Sequence, residues 1–350
     1  MEGRIRARAM RLPGGTSVGA AHRPLAVPAL FDALGPGQLV ELVDVDGRLH
    51  VLLCDGGRVR RYPAGHTAEL AAELEFTRAG LRRLAFGTGN RLLETMAALE
   101  VSGRRLEELL LGPAAARLRD GPVVVVPPAW LQSMPWALLP ALRPLALSVA
   151  PSARAWLRAR TMPEPPRRDV VLVSGPGLTA GPDEVKALAK LYEQPTVLDR
   201  GAATAVRVLD ALDGSWLAHI TAHGTFRADS PLFSALHMHD GPVTVHDFER
   251  LQTAPYRLVL SSCDSARLAP SGADELMGLA AALLPLGTVA MVASVVPVND
   301  TATASLMQTL HRGLRRGLTM AEALRTMRAE AAGDPLANAT ACSFTAIGAG

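Results

Sequence analysis

The sequence predicts an α/β fold: a mostly parallel sheet sandwiched by helices, preceded by a small antiparallel meander and helices. Three observations carry that expectation. From Val170 onward, short apolar runs alternate with segments of helical spacing, the order that builds parallel strands joined by crossover helices. The strand runs are continuous rather than alternating, as in Gly121–Pro127 with its four consecutive valines, so both faces of the sheet are expected to be buried. Between Gln38 and Tyr62, three alternating runs are separated by Asp46-Gly47 and Asp55-Gly56, dipeptides that suit two-residue hairpin turns.

Taken in order, residues 1–37 hold many Arg, Pro and Gly without sustained periodicity and read as a linker or docking segment. Residues 38–120 form the meander and a helical part. Its strands are Leu39–Val45, Leu49–Cys54 and Arg58–Tyr62, and its helices run from Thr67 to Phe86, Asn90 to Glu100 and Ser102 to Leu118, with Gly87-Thr88-Gly89 as a breaker. Cys54, inside the second strand, reads as an inert buried thiol. Residues 121–350 form the main domain, its first half spanning 121–160. That half offers a strand at Gly121–Pro127, a short helix or turn around Pro135-Trp136, a strand at Leu145–Ala150, and a helix to Arg160 capped by Ser152. Thr161–Arg168 is an internal linker. The second half, 169–350, alternates strands at Val170–Ser174, Thr196–Leu198, Leu217–Thr221, Leu258–Ser261 and Thr288–Ala293 with helices at Asp183–Tyr192, Ala203–Leu212, Asp274–Leu284, Asp300–Arg316 and Met320–Ala331. Ser343–Ile347 closes it as a strand.

Composition narrows the function classes. Against 33 acidic residues stand 36 basic ones, nearly all Arg and scattered along helical stretches, so there is no basic block of the nucleic-acid kind. The three cysteines, Cys54, Cys263 and Cys342, form no C-x-x-C pair, which suits a reducing compartment and a cytoplasmic enzyme. The N-terminus lacks the apolar stretch of a signal peptide. Leu276–Val298 carries no charge and is long enough to span a bilayer, yet Pro285-Leu286-Gly287 interrupts it. It reads as a buried helix, a turn and a buried strand, with no membrane partner.

Two apolar runs end in residues of chemical interest. Leu258–Ala266 passes from strand into Ser261-Ser262-Cys263-Asp264-Ser265, and Trp216–Gly224 ends on His223-Gly224. In parallel sheets, ligands bind outside the carboxyl ends of strands. A thiol and an imidazole at one such edge have the geometry of a nucleophile with its general base. Cys263 also reads as a structural thiol and His223 as a satisfied edge histidine, but the small polar neighbours and Gly224 suit a reacting carbonyl. The N–H groups of Gly224 and Cys263 would make a two-donor oxyanion hole.

The other candidates are weaker. His219, His223, His237, His239 and His246 raise a zinc alternative, but no cysteine pair or acidic cluster completes it, and strand spacing puts His219 deep with His223 at the rim. His237-Met238-His239 reads as a solvated strand. Gly175-Pro176-Gly177 hints at a phosphate-binding turn that lacks the third glycine. Asp300, like Asp274-Glu275, reads first as an acid favouring a helix N-terminus.

These motifs resemble the CHAT domain, a family of the caspase-like peptidase clan that includes separases and gingipains. The resemblance rests on His219-Ile-Thr-Ala-His223-Gly224, Asp229–Ser234, His239-Asp240-Gly241 and Val259-Leu-Ser-Ser-Cys263-Asp-Ser-Ala266. It continues through Gly272–Ala280, Leu286–Ser294, Pro297–Asp300 and Phe344–Gly348, with Pro135–Pro140 and Val149–Ser152 upstream. It implies a caspase-like fold and a cofactor-free, metal-free cysteine endopeptidase. His223 would be its base, Cys263 its nucleophile, and the N–H groups of Gly224 and Cys263 its oxyanion hole. From related separases, Asp300 would line a pocket for a basic P1 side chain. Its partners would be a specific protein substrate and an activator or regulatory subunit, in bacterial defence or regulated cell death. The rival reading is a catalytically silent interaction module that keeps the fold. Val295-Val296 stand where many members carry Leu-Trp, which bears on P1 preference, and the repeats often found upstream are missing.

Overall fold

Two-residue turns shape the first part of the chain. The computed structural model describes residues 25–86, 91–225, 234–261, 280, 283–296, 298 and 300–350, with 86, 91, 300 and 301 through their backbone alone. Strands β1 (Gln38–Val45), β2 (Arg48–Asp55) and β3 (Arg58–His66) pair antiparallel, with Val45 opposite Arg48 and Asp55 opposite Arg58. The turn residues Asp46 and Gly47 have φ of 52° and 81°, and Gly56 and Gly57 have 54° and 75°. Left-handed conformation at both central positions is what a tight hairpin requires, and Asp and Gly tolerate it. Leu49, Val51 and Leu53 point to one face and are fully buried there.

Two helices, α1 (Val27–Leu34) and α2 (Thr67–Phe86), flank the meander, and α3 (Arg91–Leu110) packs on α2. The expected division of α3 near Val101 does not occur. Ser102 shares a hydrogen bond of 2.7 Å with the Thr77 hydroxyl, and Gly103 lets α3 approach the Leu138 carbonyl, from which an added Cβ would lie only 2.5 Å away. Close packing accounts for that glycine.

The meander is not an appendage. β1 runs parallel to β4 (Pro122–Val126), and the sheet continues through β5 (Ala146–Val149), β14 (Phe344–Gly348), β13 (Ala290–Ser294), β12 (Arg257–Leu260), β8 (Leu217–Thr221), β6 (Val170–Ser174) and β7 (Thr196–Leu198). Pairings from β1 through β7 are parallel except β13 with β14. The segment at 161–168 holds neither helix nor strand, yet β5 before it pairs with β14 far after it, so one sheet spans both halves. A small sheet of β9 (Gly224–Thr225), β10 (Ala235–Met238) and β11 (Gly241–Thr244) lies beside it.

Both faces of the large sheet are covered. In β6, Val171 and Val173 enter the core with α6 (Ala205–Leu212) and α7 (Val245–Phe248). Val170 and Leu172 enter another with α5 (Gly181–Ala189), α8 (Asp300–Arg315) and α9 (Met320–Ala331). This is the two-sided burial that continuous apolar strands need. Helix α4 (Ala153–Arg160) is capped as expected, Ser152 Oγ accepting from the Ala155 N–H at 3.1 Å. A further helix, α10 (Pro335–Ser343), precedes β14 where the sequence pattern suggests no element. Asp334 caps it through the Leu336 and Ala337 N–H groups, with Pro335 at its first position. The buried Arg328 of α9 donates to the carbonyls of Arg143 (3.2 Å) and Leu145 (2.9 Å), and burial lowers its pKa to about 10.

The strand expected from Thr288 is β13, whereas the helix expected at Asp274–Leu284 lies largely outside the described residues. No helix among the described residues is long and apolar enough to cross a membrane.

Candidate active site

Parallel strands share a polarity, so the carboxyl ends of β6, β8, β12 and β13 stand on one edge of the sheet. Ser174 pairs with Thr221 and Ile220 with Leu260, and the Ser261 N–H donates to the Ile220 carbonyl at 3.2 Å. His223 follows Thr221 by two residues. Cys263 follows Ser261 by two residues in the sequence and lies outside the described residues.

His223 is half-buried at this rim. The His237 N–H donates to its carbonyl at 2.8 Å, which makes 223 and 237 a hydrogen-bonded pair of the β9–β10 ladder. The next pair, Gly224 opposite Leu236, is then of the non-hydrogen-bonded kind. The Gly224 N–H therefore points away from β10.

The loop after β6 packs against the same place. Gly177 has φ of 79°, and a Cβ there would lie 3.2 Å from His223 Nε2 and 3.4 Å from its Cδ2. A Cβ on Gly175 would lie 2.6 Å from the His237 carbonyl oxygen and 2.7 Å from Ala222 Cβ. The pair that hinted at a phosphate turn thus acts sterically, letting one loop close on the segment that carries His223. Two glycines directly after a strand were the available signal, and only the neighbouring strand reveals their use.

The remaining histidines separate. His219 sits fully buried in mid-β8, as strand spacing indicated. Both its ring nitrogens are engaged by Glu184 and His311, which leaves no lone pair for a metal shared with His223. His237 is half-buried and hydrogen-bonded to Thr225, and its neighbours Leu236 and Met238 are buried, so this strand is not the solvated one expected. His239 is exposed, and His246 pairs with Glu249 at 2.9 Å. Among the described residues no cluster of three or more His, Cys, Asp or Glu could hold a metal ion.

Asp300 is the first residue of α8; its side chain lies outside the described residues. Val295 and Val296, after β13, are both buried, the second in the core beneath α2 and α3, so they fill the interior. A cleft of about 230 Å³ lies between α2 and α3, lined by Phe76, Gly80 and Leu99 among others. It shares no residue with the sheet edge.

The two described thiols, Cys54 and Cys342, are both buried. Burial, with a contribution from Glu41, pushes the Cys54 thiol up to about 11, and burial likewise raises Cys342. Burial of this kind disfavours the thiolate, the nucleophilic form, in both.

A protein-family model described as CHAT domain matches residues 100–344. Among solved structures, two crystal structures of the Saccharomyces cerevisiae separase–securin complex are similar to this chain at 11% identity, with TM-scores of 0.58 and 0.59. The matches cover 92% of this chain but only 30% and 31% of those chains. The crystal structure of the Arg specific cysteine proteinase gingipain R is similar over 81% of this chain and 76% of its own, at 12% identity and a TM-score of 0.43. No curated protein sequence matches. At such identities the likeness to separase speaks to the fold.

Proposed function

The chain belongs to the CHAT domain family, and on that premise we propose that it is a cysteine endopeptidase with a His223–Cys263 dyad. The observation that carries this reading is the rim position of His223, beside the strand that leads into Cys263, with the Gly224 N–H turned out of its ladder.

In the proposed reaction, His223 takes the Cys263 thiol proton and the thiolate attacks the scissile carbonyl. The N–H groups of Gly224 and Cys263 donate to the oxyanion. The imidazolium then protonates the leaving amine, and a water activated by His223 hydrolyses the thioester. Asp300, opening α8 near the same edge, is the acid proposed to face a basic P1 side chain. The substrate is a specific protein partner, cut in a bacterial defence or cell-death system. A regulatory subunit is a natural companion, since the separase of the similar structures is bound to securin.

Co-expression of the chain with candidate partner proteins, wild type beside Cys263→Ala and His223→Ala, tests the reading. A fragment made only by the wild type is the expected outcome. Identical behaviour of all three proteins would mean a silent interaction module. Asp300→Ala should weaken cleavage after Lys or Arg while Cys263 still reacts with a small alkylator; an unchanged P1 preference would remove Asp300 from the pocket.

A further inference from the structure

Helix-covered faces of parallel sheets are apolar as a rule. One face of this sheet breaks the rule with a chain of four polar side chains. His219 lies in register between Leu172 of β6 and Val259 of β12, with no exposed surface. Its Nε2 is 2.8 Å from Oε1 of Glu184, a buried residue of α5. Its Nδ1 is 3.0 Å from Nε2 of His311, fully buried on α8. His311 Nδ1 is in turn 2.8 Å from the Tyr192 hydroxyl, just after α5. The rings meet edge to face, 5.0 Å apart for the two histidines and 5.8 Å for Tyr192 with His311. At the outer end, the Arg315 guanidinium lies 5.9 Å from the Tyr192 ring.

Proton counting shows that the chain is complete. With one proton on each imidazole, Tyr192 O–H donates to His311, His311 Nε2–H donates to His219, and His219 Nε2–H donates to the Glu184 carboxylate. Every ring nitrogen has a partner. Burial, and next the neighbouring His219, hold His311 well below the usual histidine range, so it stays a neutral donor and acceptor.

Stability does not account for such a chain, because well-packed apolar side chains of similar volume would serve as well or better. Hydrogen bonds add direction: apolar surfaces can slide, whereas this chain has one register. The three elements it ties are those that end at the site. From His219 in β8 the chain reaches His223 in four residues, two of them past the strand's end at Thr221. α5 follows the loop in which a Cβ on Gly177 would lie 3.2 Å from the His223 ring. α8 begins at Asp300, eleven residues or about 16 Å of helix before His311.

We propose that Glu184, His219, His311 and Tyr192 are positioning residues, a buried latch that fixes α5 and α8 in height against β8 and thereby sets the His223 ring and the start of α8. The proposal rests on the peptidase reading only for its catalytic consequence.

The test uses the full chain with ¹³C-labelled histidine rings, the His223 signal being assigned by its loss in His223→Ala. It follows that signal, the rate of Cys263 alkylation, and partner cleavage. His311→Leu should move the His223 signal and slow alkylation and cleavage about tenfold, since small misplacements of a reacting group have effects of this order. His311→Gln, whose amide keeps a donor and an acceptor, should recover to within about threefold of wild type by the same reasoning. Leu106→Ala, in the core under the meander, controls for general loss of stability and should leave the His223 signal unmoved. If His311→Leu does not fold, Tyr192→Phe, which removes only the outer hydroxyl, should still shift the signal. The proposal is overturned if the His223 signal is native in the folded His311→Leu or in Tyr192→Phe. It is equally overturned if Gln rescues no better than Leu, or if Leu106→Ala moves the signal as much. Should wild type cleave nothing, the peptidase reading falls while the His223 signal still judges the latch.

Discussion

Gly177→Ala separates backbone strain from disturbance of the site, because Gly57 provides a matched control. The two glycines have nearly equal φ, 79° and 75°, but a Cβ on Gly57 would meet nothing within 4 Å, whereas one on Gly177 would stand 3.2 Å from His223 Nε2. An L-residue in this left-handed region costs about 1–2 kcal/mol. The less flexible unfolded chain returns about 0.4–1 kcal/mol of that. Both variants should therefore lose about 1 kcal/mol. With roughly 2.1 cal/mol/K of unfolding entropy per residue over 350 residues, that loss lowers the melting temperature by about 1–2 °C. Only Gly177→Ala must also push the His223 ring by a few tenths of an ångström. Its Cys263 alkylation and partner cleavage should fall about tenfold, with Gly57→Ala at wild-type rates. Thermal melts with both rate measurements make the comparison. Equal activity of the two variants would refute the steric argument, and so would a native rate for Gly177→Ala.

Three further outcomes are expected. Limited iodoacetamide at neutral pH should label Cys263 alone in the folded protein and all three cysteines after denaturation, because burial holds the Cys54 and Cys342 thiols high; peptide mass mapping reads this, and rapid labelling of Cys54 would contradict it. Stability should fall on acidification below about pH 6.5. Folded His311 has a depressed pKa, so from 6.5 downward the unfolded chain binds a proton that the folded one refuses, with a slope of up to about 1.4 kcal/mol per pH unit. Urea denaturation between pH 5 and 8 should show a shallower slope for His311→Gln, and equal slopes would exclude the histidine as its source. Finally, Arg328→Met should lower stability by about 2–4 kcal/mol, because the Arg143 and Leu145 carbonyls lose buried donors; a loss below 0.5 kcal/mol in equilibrium unfolding, roughly the level of a surface change, would disprove that role.

Local chemistry made much of the fold legible. Asp46-Gly47 marked the first turn of the meander, while the second centres on Gly56-Gly57, one residue past the expected Asp55-Gly56; continuous valine and leucine runs defined the buried strands, and Ser152 capped its helix. Strand periodicity alone put His219 inside and His223 at the rim, as the structure has them. Misreadings arose where a distant partner decides the local outcome. The division expected near Val101 failed because the Leu138 carbonyl against which Gly103 packs is far along the chain. The helix before β14 was hidden in an Ala- and Thr-rich stretch with no apolar periodicity, although Asp334 and Pro335 are a recognisable start. The partners of His219, at positions 184 and 311, become neighbours only once α5 and α8 pack on the sheet, so no spacing rule could connect them.

The width of the sheet has a consequence for how copies of this chain meet. Among the described residues its two margins are β3 and β7, and β7 is only three residues long. β3 is longer, but it exposes Arg58, Arg60 and Arg61 in near succession, and Pro63 has no N–H to offer. A second molecule aligning its own β3 there would bring like charges together before any backbone bond could form. The margins thus oppose strand-by-strand growth from one copy of the chain to the next, although the strands between them are rich in buried valine and leucine.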